Sequence, residues 1–389
     1  MFNKIKDLIL SLDTVINKYQ KSHFKYYKKL SFKDLLYIGL TKIANNDGYK
    51  PATHKYIYAT KSHISTQAVH KAMKSIPIDA YKELSNMLYK KYLKNYDNRI
   101  LLIDGSAISL PKSIMDENPD VDYRITSTKS YCKALLTTIY DLNHKAPMAQ
   151  IVTTVFDERK AFLQLRDTLR PKDILIFDRG YYSLKMLKTL TKAGHFVIFR
   201  ISRTNKKIYR LDESDNYKYL TRKVTYTIAS TEYVMLTNLP KDIYPVDTIK
   251  NLYHSRWAVE EYYKVLKMQE DGKFYNCKSW KTLNQRLELQ YLLNQLIATI
   301  YHINLPNPSQ AYLQSKEKYS PTYALDYMCG FMYLLFYKPK RYLKDLKNLI
   351  IHVNAYCKTI IINNRKFPRI AVVNNCKWYR RKQQKSVDP

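Results

Sequence analysis

Two short apolar runs, each ending in an aspartate close to a glycine, constrain the fold of this chain more than any other feature. They are RILLIDGS, with Asp104, and DILIFDRG, with Asp178. Four or five apolar residues in a row predict a buried strand, and open α/β sheets gather functional side chains at strand ends. Gly105 and Gly180 would let a ligand approach the backbone closely. The plainer alternative is that each aspartate caps a turn.

The runs around these two acids alternate between strand and helix patterns. KALLTTIYDL and APMAQIVTTVF predict a hairpin joined through NHK, and HFVIFRIS is a further apolar strand. ERKAFLQLRDTL and SLKMLKTLTKAG have helical period, and Gly194 would close the second helix. Three strands, a helix, a strand, a helix and a strand predict an α/β fold, in which helices flank a mixed sheet.

The balance of charge points to a polyanionic partner. The 389 residues include 66 Lys and Arg but only 33 Asp and Glu, a formal net charge of +33. Nucleic acid is the first candidate for such an excess, and an anionic membrane surface is the second. Five cysteines without a CxxC pair predict thiols in a reducing, cytoplasmic compartment and no zinc site. Neither GxxxxGK[ST] nor GxGxxG occurs, so we expect no nucleotide cofactor.

One short helix near the N-terminus is a candidate for entering a DNA groove. HISTQAVHKAMKSIP predicts a helix over 67–74, with Ser65 or Thr66 as its N-cap and its end before Pro77. The outward side chains would be Gln67, His70, Lys71 and Lys74. A basic outward face suits groove binding, but an ordinary basic surface would have the same composition.

The segment LYHSRWAVEEYYKVLKMQ, at 252–269, predicts one helix with an ordered polar stripe. The stripe consists of Tyr253, Arg256, Glu260 and Lys267, with Lys264 just beyond it. At about 100° per residue, its members fall within an arc of about 60°. Arg256 can grip a phosphate through two parallel hydrogen bonds, and Lys267 can act as a point charge. The alternative is a surface helix with an i,i+4 ion pair between Arg256 and Glu260.

Asp104, Asp178 and Glu260 together would form an oxygen-only metal site. Mg²⁺ and Mn²⁺ prefer such carboxylate ligands. Two of these ions, about 4 Å apart, can activate a nucleophile and stabilise the leaving oxygen in phosphodiester displacement. The three acids are therefore the predicted catalytic and metal-binding residues. The remaining stripe residues and Lys264 are the predicted phosphate contacts.

The stripe resembles a known signature. Its spacing is Tyr, two residues, Arg, three residues, Glu, six residues, Lys, which is the YREK pattern of DDE transposases from bacterial insertion sequences. IDGS and DRGYYS resemble the first two acidic motifs of that group. The resemblance covers roughly residues 95–305. It implies a ribonuclease-H-like core with a β-rich insertion before Glu260.

Five regions follow from the patterns and the resemblance. They are a helical DNA-binding domain at 1–98, two parts of a catalytic domain at 99–202 and 236–305, a β-containing insertion at 203–235, and a helical and basic region at 306–389. The apolar run YMCGFMYLLFY is too short to span a bilayer and predicts a buried helix. We therefore expect no association with a membrane.

The resemblance implies cut-and-paste movement of a DNA element. A homodimer, associated with the bacterial nucleoid, would bind double-stranded DNA at terminal inverted repeats. It would hydrolyse one strand at each end, using Mg²⁺ or Mn²⁺, and transfer the freed 3′ end to target DNA, with a hairpin as one route for cutting the second strand. Arg256 and Tyr253 would hold phosphates near the 5′ end, and Lys267 would steady the transferred end. The candidates for trapping a flipped base, as an aromatic residue often does in this family, are Tyr217, Tyr219 and Tyr226.

Three other functions are compatible with parts of the sequence. A catalytically inactive or domesticated transposase-derived protein would bind DNA without cutting it. A nuclease acting on RNA–DNA hybrids uses the same fold and metals, but it needs neither the stripe nor a helical N-terminal domain. A glycosidase also uses paired carboxylates, but a net charge of +33 does not suit a neutral sugar.

Overall fold

The computed structural model describes residues 2–25, 30–92, 98–117, 123–125, 130–212, 216–228, 230–268, 277–303, 317–319, 330–337, 343–356 and 358–360. The predicted α/β class is confirmed, since helices flank a mixed sheet and further helices occur towards both ends. The predicted basic tail after residue 360 lies outside the described residues. Of the five cysteines, Cys132 and Cys277 are described, and both are buried.

The described residues up to 92 form five helices. Their bounds are α1 Phe2–His23, α2 Phe32–Ala44, α3 Tyr49–Thr60, α4 Thr66–Ser75 and α5 Ile78–Tyr92. The short helix predicted from the sequence is α4, and the Ser65 hydroxyl caps it by accepting a hydrogen bond from the Ala68 backbone N–H. Residues 330–337, within the YMCGFMYLLFY run, are helical and share one apolar core with these helices.

Nine strands of the described chain form one mixed sheet. In chain order they are β1 Ile100–Leu110, β2 Tyr123–Ile125, β3 Ser130–Asp141, β4 Ala146–Thr153, β5 Ile174–Phe177, β6 Phe196–Arg200, β7 Asn216–Tyr217, β8 Thr221–Ile228 and β9 Thr231–Thr237. The spatial order is β2-β3-β1-β5-β6-β9-β8-β7, with β4 paired to β3. β1, β5 and β6 run parallel, and β3 is antiparallel to β1. The central order β4-β3-β1-β5-β6 is the ribonuclease-H-like arrangement that the resemblance implied.

The segment predicted as a β-containing insertion contributes strands to this sheet. β9 pairs antiparallel with β6, and β8 pairs antiparallel with β9, so the strands β7 to β9 extend the sheet beyond β6. The alternation in KVTYTI therefore belongs to β8, whose apolar residues face the same core as the helix that follows. A local alternating pattern reports a strand, but not the neighbour with which it pairs.

Helices cover the two faces of the sheet. Their bounds are α6 Lys112–Glu117, α7 Glu158–Gln164, α8 Leu184–Lys192, α9 Lys206–Tyr209, α10 Val246–His254, α11 Trp257–Met268 and α12 Trp280–Ile303. α7 and α8 pack in one core with Ile103 and Phe177, whereas α10 and α11 pack in another core with Leu102 and Ile176. Alternate strand residues face opposite sides of a sheet, so these two helix pairs lie on opposite faces. A helix Leu343–Tyr356 and a small sheet of Glu317–Tyr319 with Lys358–Ile360 follow.

The segment 252–269 is not the single helix that the sequence predicts. α10 ends at His254 and α11 begins at Trp257. At the break, the Arg256 backbone N–H donates to the Tyr253 carbonyl oxygen, an i→i−3 bond. The Ser255 hydroxyl also donates to the carbonyl oxygen of Leu252 at 2.7 Å, and such local bonds compete with regular helix. The apolar periodicity continues across the break, so it does not reveal the turn.

Candidate active site

Asp104 and Asp178 lie at the point where β1 and β5 separate. The parallel pairing of the two strands ends at Ile103 and Phe177, so each aspartate is the first residue beyond the last pair. The prediction that Asp104 ends its strand is wrong, because β1 continues to Leu110 through its pairing with β3. The second half of β1 is held by its pairing with β3. An apolar run in the sequence does not indicate which strand it will pair with.

Hydrogen-bond donors and cations surround the carboxylate of Asp178. The Tyr253 hydroxyl donates to Asp178 Oδ1 at 2.9 Å, and Arg200 Nη1 lies 3.8 Å from the same oxygen. Burial raises the pKa of Asp178. The backbone N–H of Arg179, the charge of Arg256 and the contacts with Tyr253 and Arg200 lower this pKa, and together they outweigh the effect of burial. The net pKa is below the usual value of an aspartate, so Asp178 is ionised at neutral pH.

Arg256 joins the other two predicted acids. Its Nη2 donates to Glu260 Oε1 at 2.6 Å, and its Nη1 lies 3.6 Å from Asp104 Oδ2. The side chain is 12% exposed, and its Nε is buried and has no hydrogen-bond partner among the described residues. The i,i+4 pair that the sequence allowed on a surface helix is therefore present. It lies inside the site, however, and an acid from the sheet shares it.

The protonation of Asp104 is strongly perturbed. Its pKa is raised to about 7, mainly by burial, and the charges of Glu158 and Glu260 add to the rise. Arg256 and the backbone N–H of Gly105 act in the opposite direction. A carboxyl group with this pKa is partly protonated near neutral pH. Such perturbed groups concentrate at functional sites.

The two lysines of α11 take different positions. Lys267 Nζ donates to Ser106 Oγ at 2.7 Å, on the strand that carries the first acid, and burial lowers the pKa of this lysine. Lys264 pairs with Glu261 at 2.6 Å and lies over the ring of Trp257, on the exposed side of the helix. Lys267 therefore lies near the acids, and Lys264 lies outside the group.

The predicted groove residues line a basic depression of about 690 Å³ on the N-terminal helices. The lining residues are Tyr49, Lys50, Thr66, Gln67, His70, Lys71 and Lys74. The His70 ring packs edge-on against Tyr49, with 5.1 Å between centroids. Burial and the charges of Lys74 and Lys278 lower the pKa of His70, so this ring is neutral at pH 7. The positive charge of the depression therefore comes from its lysines.

The three insertion tyrosines separate into two groups. Tyr226 is 8% exposed and stacks on Tyr233 at 5.3 Å between centroids, and the guanidinium of Arg200 lies 4.6 Å from the Tyr233 ring. Tyr217 and Tyr219 pack against the core under α8. Of the three, Tyr226 belongs to the aromatic cluster next to the acidic centre. The prediction that one of them traps a base stays a prediction.

Two charged residues of the centre were not among those predicted. Arg200 is the last residue of β6 and lies beside Asp178. It ends the apolar run HFVIFR, so the strand-end argument that selected the aspartates could have found it. Glu158 begins α7 and contributes to the raised pKa of Asp104. Its signal is weaker, because α7 must first be known to begin at the same edge of the sheet.

The carboxylates suit a divalent metal ion by their chemistry and not by their present arrangement. Among the described residues, no group of three or more His, Cys, Asp or Glu is arranged to hold one in this conformation. The Arg256 guanidinium lies between Asp104 and Glu260 instead. The donor set is nevertheless made of carboxylate oxygens around a cation, and such oxygens suit a hard divalent ion.

The strand order and the acids at one edge of the sheet define a class, the ribonuclease-H-like α/β enzymes with an acidic centre. The family model described as the transposase DDE domain matches residues 95–292, which are 198 of the 389 residues. The chain therefore belongs to this family and is a DDE transposase, as the sequence resemblance predicted. Members of the family generally use divalent metal ions.

A solved transposase structure resembles this chain, with low sequence identity. The chain is similar to the piggyBac transposase in the cryo-EM structure of its synaptic complex with hairpin DNA, with a TM-score of 0.42 and 10% sequence identity. The match covers 82% of this chain and 76% of that one. None of the curated proteins matches. Across the described residues, no helix combines the length and the apolar character needed to cross a bilayer.

Proposed function

We propose that this transposase binds double-stranded DNA at the terminal inverted repeats of its own element. It cuts a strand at each end and joins the freed 3′ end to target DNA. The observation that carries the proposal is the guanidinium of Arg256, which draws Asp104 and Glu260 together beside Asp178. Acids gathered around a cation at a sheet edge suit phosphodiester displacement, in which cations must stabilise charge on the reacting phosphate.

Asp104, Asp178 and Glu260 would hold two Mg²⁺ or Mn²⁺ ions. Carboxylate oxygens are the ligands that these ions prefer, and the guanidinium found between two of the acids supports a cation position there. When bound, the ions supply the positive charge that activates the nucleophile and stabilises the leaving oxygen.

The stripe residues orient the acids and bind the phosphates of DNA. Tyr253 donates to Asp178 and fixes the direction of that carboxylate. Arg256 offers a fork of N–H donors that matches a phosphate as well as it matches a carboxylate. Arg256 contacts Asp104, whereas Lys267 bonds Ser106, two residues further along β1, and alternate residues of a strand lie about 7 Å apart. The two cations would therefore contact different phosphates of one strand.

The N-terminal depression would contribute to binding of the element ends. Lys50, Lys71 and Lys74 line it, and the whole chain has a net charge of +33. Lysines that neutralise phosphates release counterions, which gives affinity that falls as salt rises. Since two ends must be cut together, a homodimer on DNA is the expected assembly.

Cleavage of DNA that carries the ends of the element tests the proposal. We expect the purified full-length protein to nick such DNA with Mg²⁺ or Mn²⁺ and not with EDTA. Glu260→Gln should abolish nicking and leave end binding intact. Glu261→Gln is the matched control, because this neighbouring acid pairs with Lys264 on the exposed side of the helix. Binding without nicking by the wild type at every metal concentration would contradict the proposal.

A transposase-derived protein that binds DNA without cutting it is the second candidate. Arg256 already pairs with Asp104 and Glu260, and the described residues include no cluster arranged for a metal. If this pairing is permanent, the wild type will bind no Mn²⁺ even with DNA present. The variant Arg256→Ala, in contrast, will bind it.

A further inference from the structure

Glu158 lies against two glycines that flank the predicted acids. A Cβ atom placed on Gly105 would lie 3.0 Å from both Cγ and Oε1 of Glu158, and one placed on Gly180 would lie 3.4 Å from its Oε2. The sequence assigned these glycines to the close approach of a ligand. In the structure, they make room for the carboxylate of Glu158. The distances at Gly105 are shorter than almost all contacts of a Cβ atom, so the position of Glu158 depends on the absence of a side chain there. The distance at Gly180 is an ordinary van der Waals contact.

Glu158 and Glu260 reach the centre from opposite faces of the sheet. α7 packs with Ile103 in one apolar core, and α11 packs with Leu102 in the other. Each glutamate stands in the first turn of its helix. β4, which leads into α7, is antiparallel to β3 and therefore runs parallel to β1. α7 thus begins at the edge of the sheet where the aspartates lie.

The carboxylate of Glu158 has other acids as its neighbours. In the described part of the chain, no side chain forms an ion pair or a hydrogen bond with it. Burial and the charge of Asp178 raise the pKa of Glu158, and the charge of the neighbouring Arg159 lowers it. Burial is the largest cause of the raised pKa of Asp104. The charge of Glu158 is the next cause that raises it, ahead of the charge of Glu260. A half-buried carboxylate among other carboxylates is unfavourable unless a cation joins it.

An orphaned phenol lies beside Glu158. Tyr181 is completely buried, and its hydroxyl has no hydrogen-bond partner among the described residues. Burial raises the pKa of Tyr181, and the charge of Glu158 is the next cause. A buried hydroxyl without a partner is costly. The acidic centre therefore contains a buried donor that is still without an acceptor among the described residues.

We propose that Glu158 is a fourth carboxylate ligand of the metal centre, reaching it from the face opposite α11. The inference rests on the proposed function only in assuming that the centre binds divalent cations. Four carboxylates balance the charge of two divalent ions, whereas three leave an excess of one positive charge. Gly105 is a positioning residue, because it acts through the space that it leaves for Glu158.

Mn²⁺ binding to the full-length protein without DNA tests the role of Glu158. Titration followed by electron paramagnetic resonance gives affinity and stoichiometry without any activity measurement. We expect Glu158→Gln to weaken Mn²⁺ binding at least about tenfold, the lower end of the effect of groups that support a metal site. The matched control is Glu232→Gln, the same change at an exposed position on β9, which should bind as the wild type does. Equal affinity and stoichiometry in Glu158→Gln and the wild type overturn the proposal.

Gly105→Ala tests the same idea without touching a carboxylate. Its Cβ would meet the side chain of Glu158, so Mn²⁺ binding should weaken as it does in Glu158→Gln. In a Glu158→Ala background the obstructing side chain is gone, and Gly105→Ala should cause no further loss. A Gly105→Ala variant that is folded by circular dichroism and binds Mn²⁺ normally contradicts the role of Glu158.

The outcomes for the two proposals are distinguishable. A wild type that binds Mn²⁺ with the help of Glu158 but never nicks DNA supports this inference and contradicts the proposed function. A wild type that nicks DNA, while Glu158→Gln binds Mn²⁺ normally, contradicts this inference alone. A wild type that binds no Mn²⁺ either with or without DNA contradicts both.

Discussion

Arg256 Nη2 donates to Glu260 Oε1 at 2.6 Å, and the same guanidinium lies 3.6 Å from Asp104. A residue in the turn between two helices thus holds an acid on the second helix and an acid in the middle of a strand. Exposed ion pairs contribute about 0–1 kcal/mol. Since the Arg256 side chain is only 12% exposed, its contacts are screened much less. Arg256 therefore supports the arrangement of the acids and competes with other cations for them.

Arg256→Ala should destabilise the protein and strengthen its response to metal. The change leaves Asp104 and Glu260 without their cation, and breaking a buried pair costs about 3–5 kcal/mol. Mn²⁺ should then raise the melting temperature of the variant more than that of the wild type, because its competitor is gone. Lys264→Ala, which removes an exposed cation from α11, should change stability by less than about 1 kcal/mol. Equal stabilisation of variant and wild type by Mn²⁺ would show that Arg256 and the metal do not compete.

Tyr253→Phe should reduce cleavage while end binding is little changed. The variant keeps the ring but loses the hydroxyl that donates to Asp178 at 2.9 Å. Loss of a group that orients a metal ligand costs about 10–100-fold, and we expect the rate of nicking to fall within that range. Tyr262→Phe is the matched control, since it removes the hydroxyl that donates to Gln150 from the next helix. Equal rates of nicking for the two variants would show that the Tyr253 hydroxyl has no role in cleavage.

Asp104→Asn should change how stability depends on pH. The pKa of Asp104 is about 7 in the folded state, above the value of about 3.9 expected for an unfolded chain. The folded protein therefore holds this proton more tightly, and the wild type loses stability as pH rises from about 4 to about 7. Asparagine does not titrate, so its free energy of unfolding does not fall in this way. Relative to the wild type, the free energy of unfolding of the variant should rise by about 1–3 kcal/mol between about pH 4 and about pH 8. Urea unfolding across this pH range measures the difference. Asp242→Asn, at an exposed turn, is the control, and a constant difference for Asp104→Asn would be inconsistent with the raised pKa.

Removing lysines from the N-terminal depression should lower the affinity for DNA and make this affinity less dependent on salt concentration. Lys71→Ala with Lys74→Ala removes two of the cations that line it. Each lost phosphate contact lowers the salt slope of the logarithm of the binding constant by about 0.9, so a decrease of about 2 is expected. The control is Lys18→Ala with Lys33→Ala, which removes two cations that pair with acids elsewhere on the N-terminal helices. The depression has no role in DNA binding if both double variants keep the slope of the wild type.

The sequence predicted those parts of the fold that depend on local pattern. Apolar runs located β1 and β5, and the residues after Ile103 and Phe177 are the two predicted aspartates. The turn at Ser255 was missed, because apolar positions keep their period across it. The length of β1 was missed, because its second half is supported by β3.

The predicted site was incomplete for the same physical reason. Arg200 comes next to Asp178 through the parallel register of β5 and β6. Glu158 comes next to Gly105 through the packing of α7 on the sheet. Neither relationship is encoded in spacing along the chain. The glycine next to Asp104 correctly indicated that another group lies close to the backbone. It could not indicate that this group is the side chain of Glu158.

The positions of Mn²⁺ in crystals of the protein with DNA carrying one element end test the central claim most directly. Anomalous scattering identifies the ion without reference to activity. We expect Mn²⁺ bound by Asp104, Asp178 and Glu260, with the Arg256 guanidinium moved to a DNA phosphate. Absence of Mn²⁺ from these carboxylates at saturating concentration, with Arg256 still between Asp104 and Glu260, would contradict the claim.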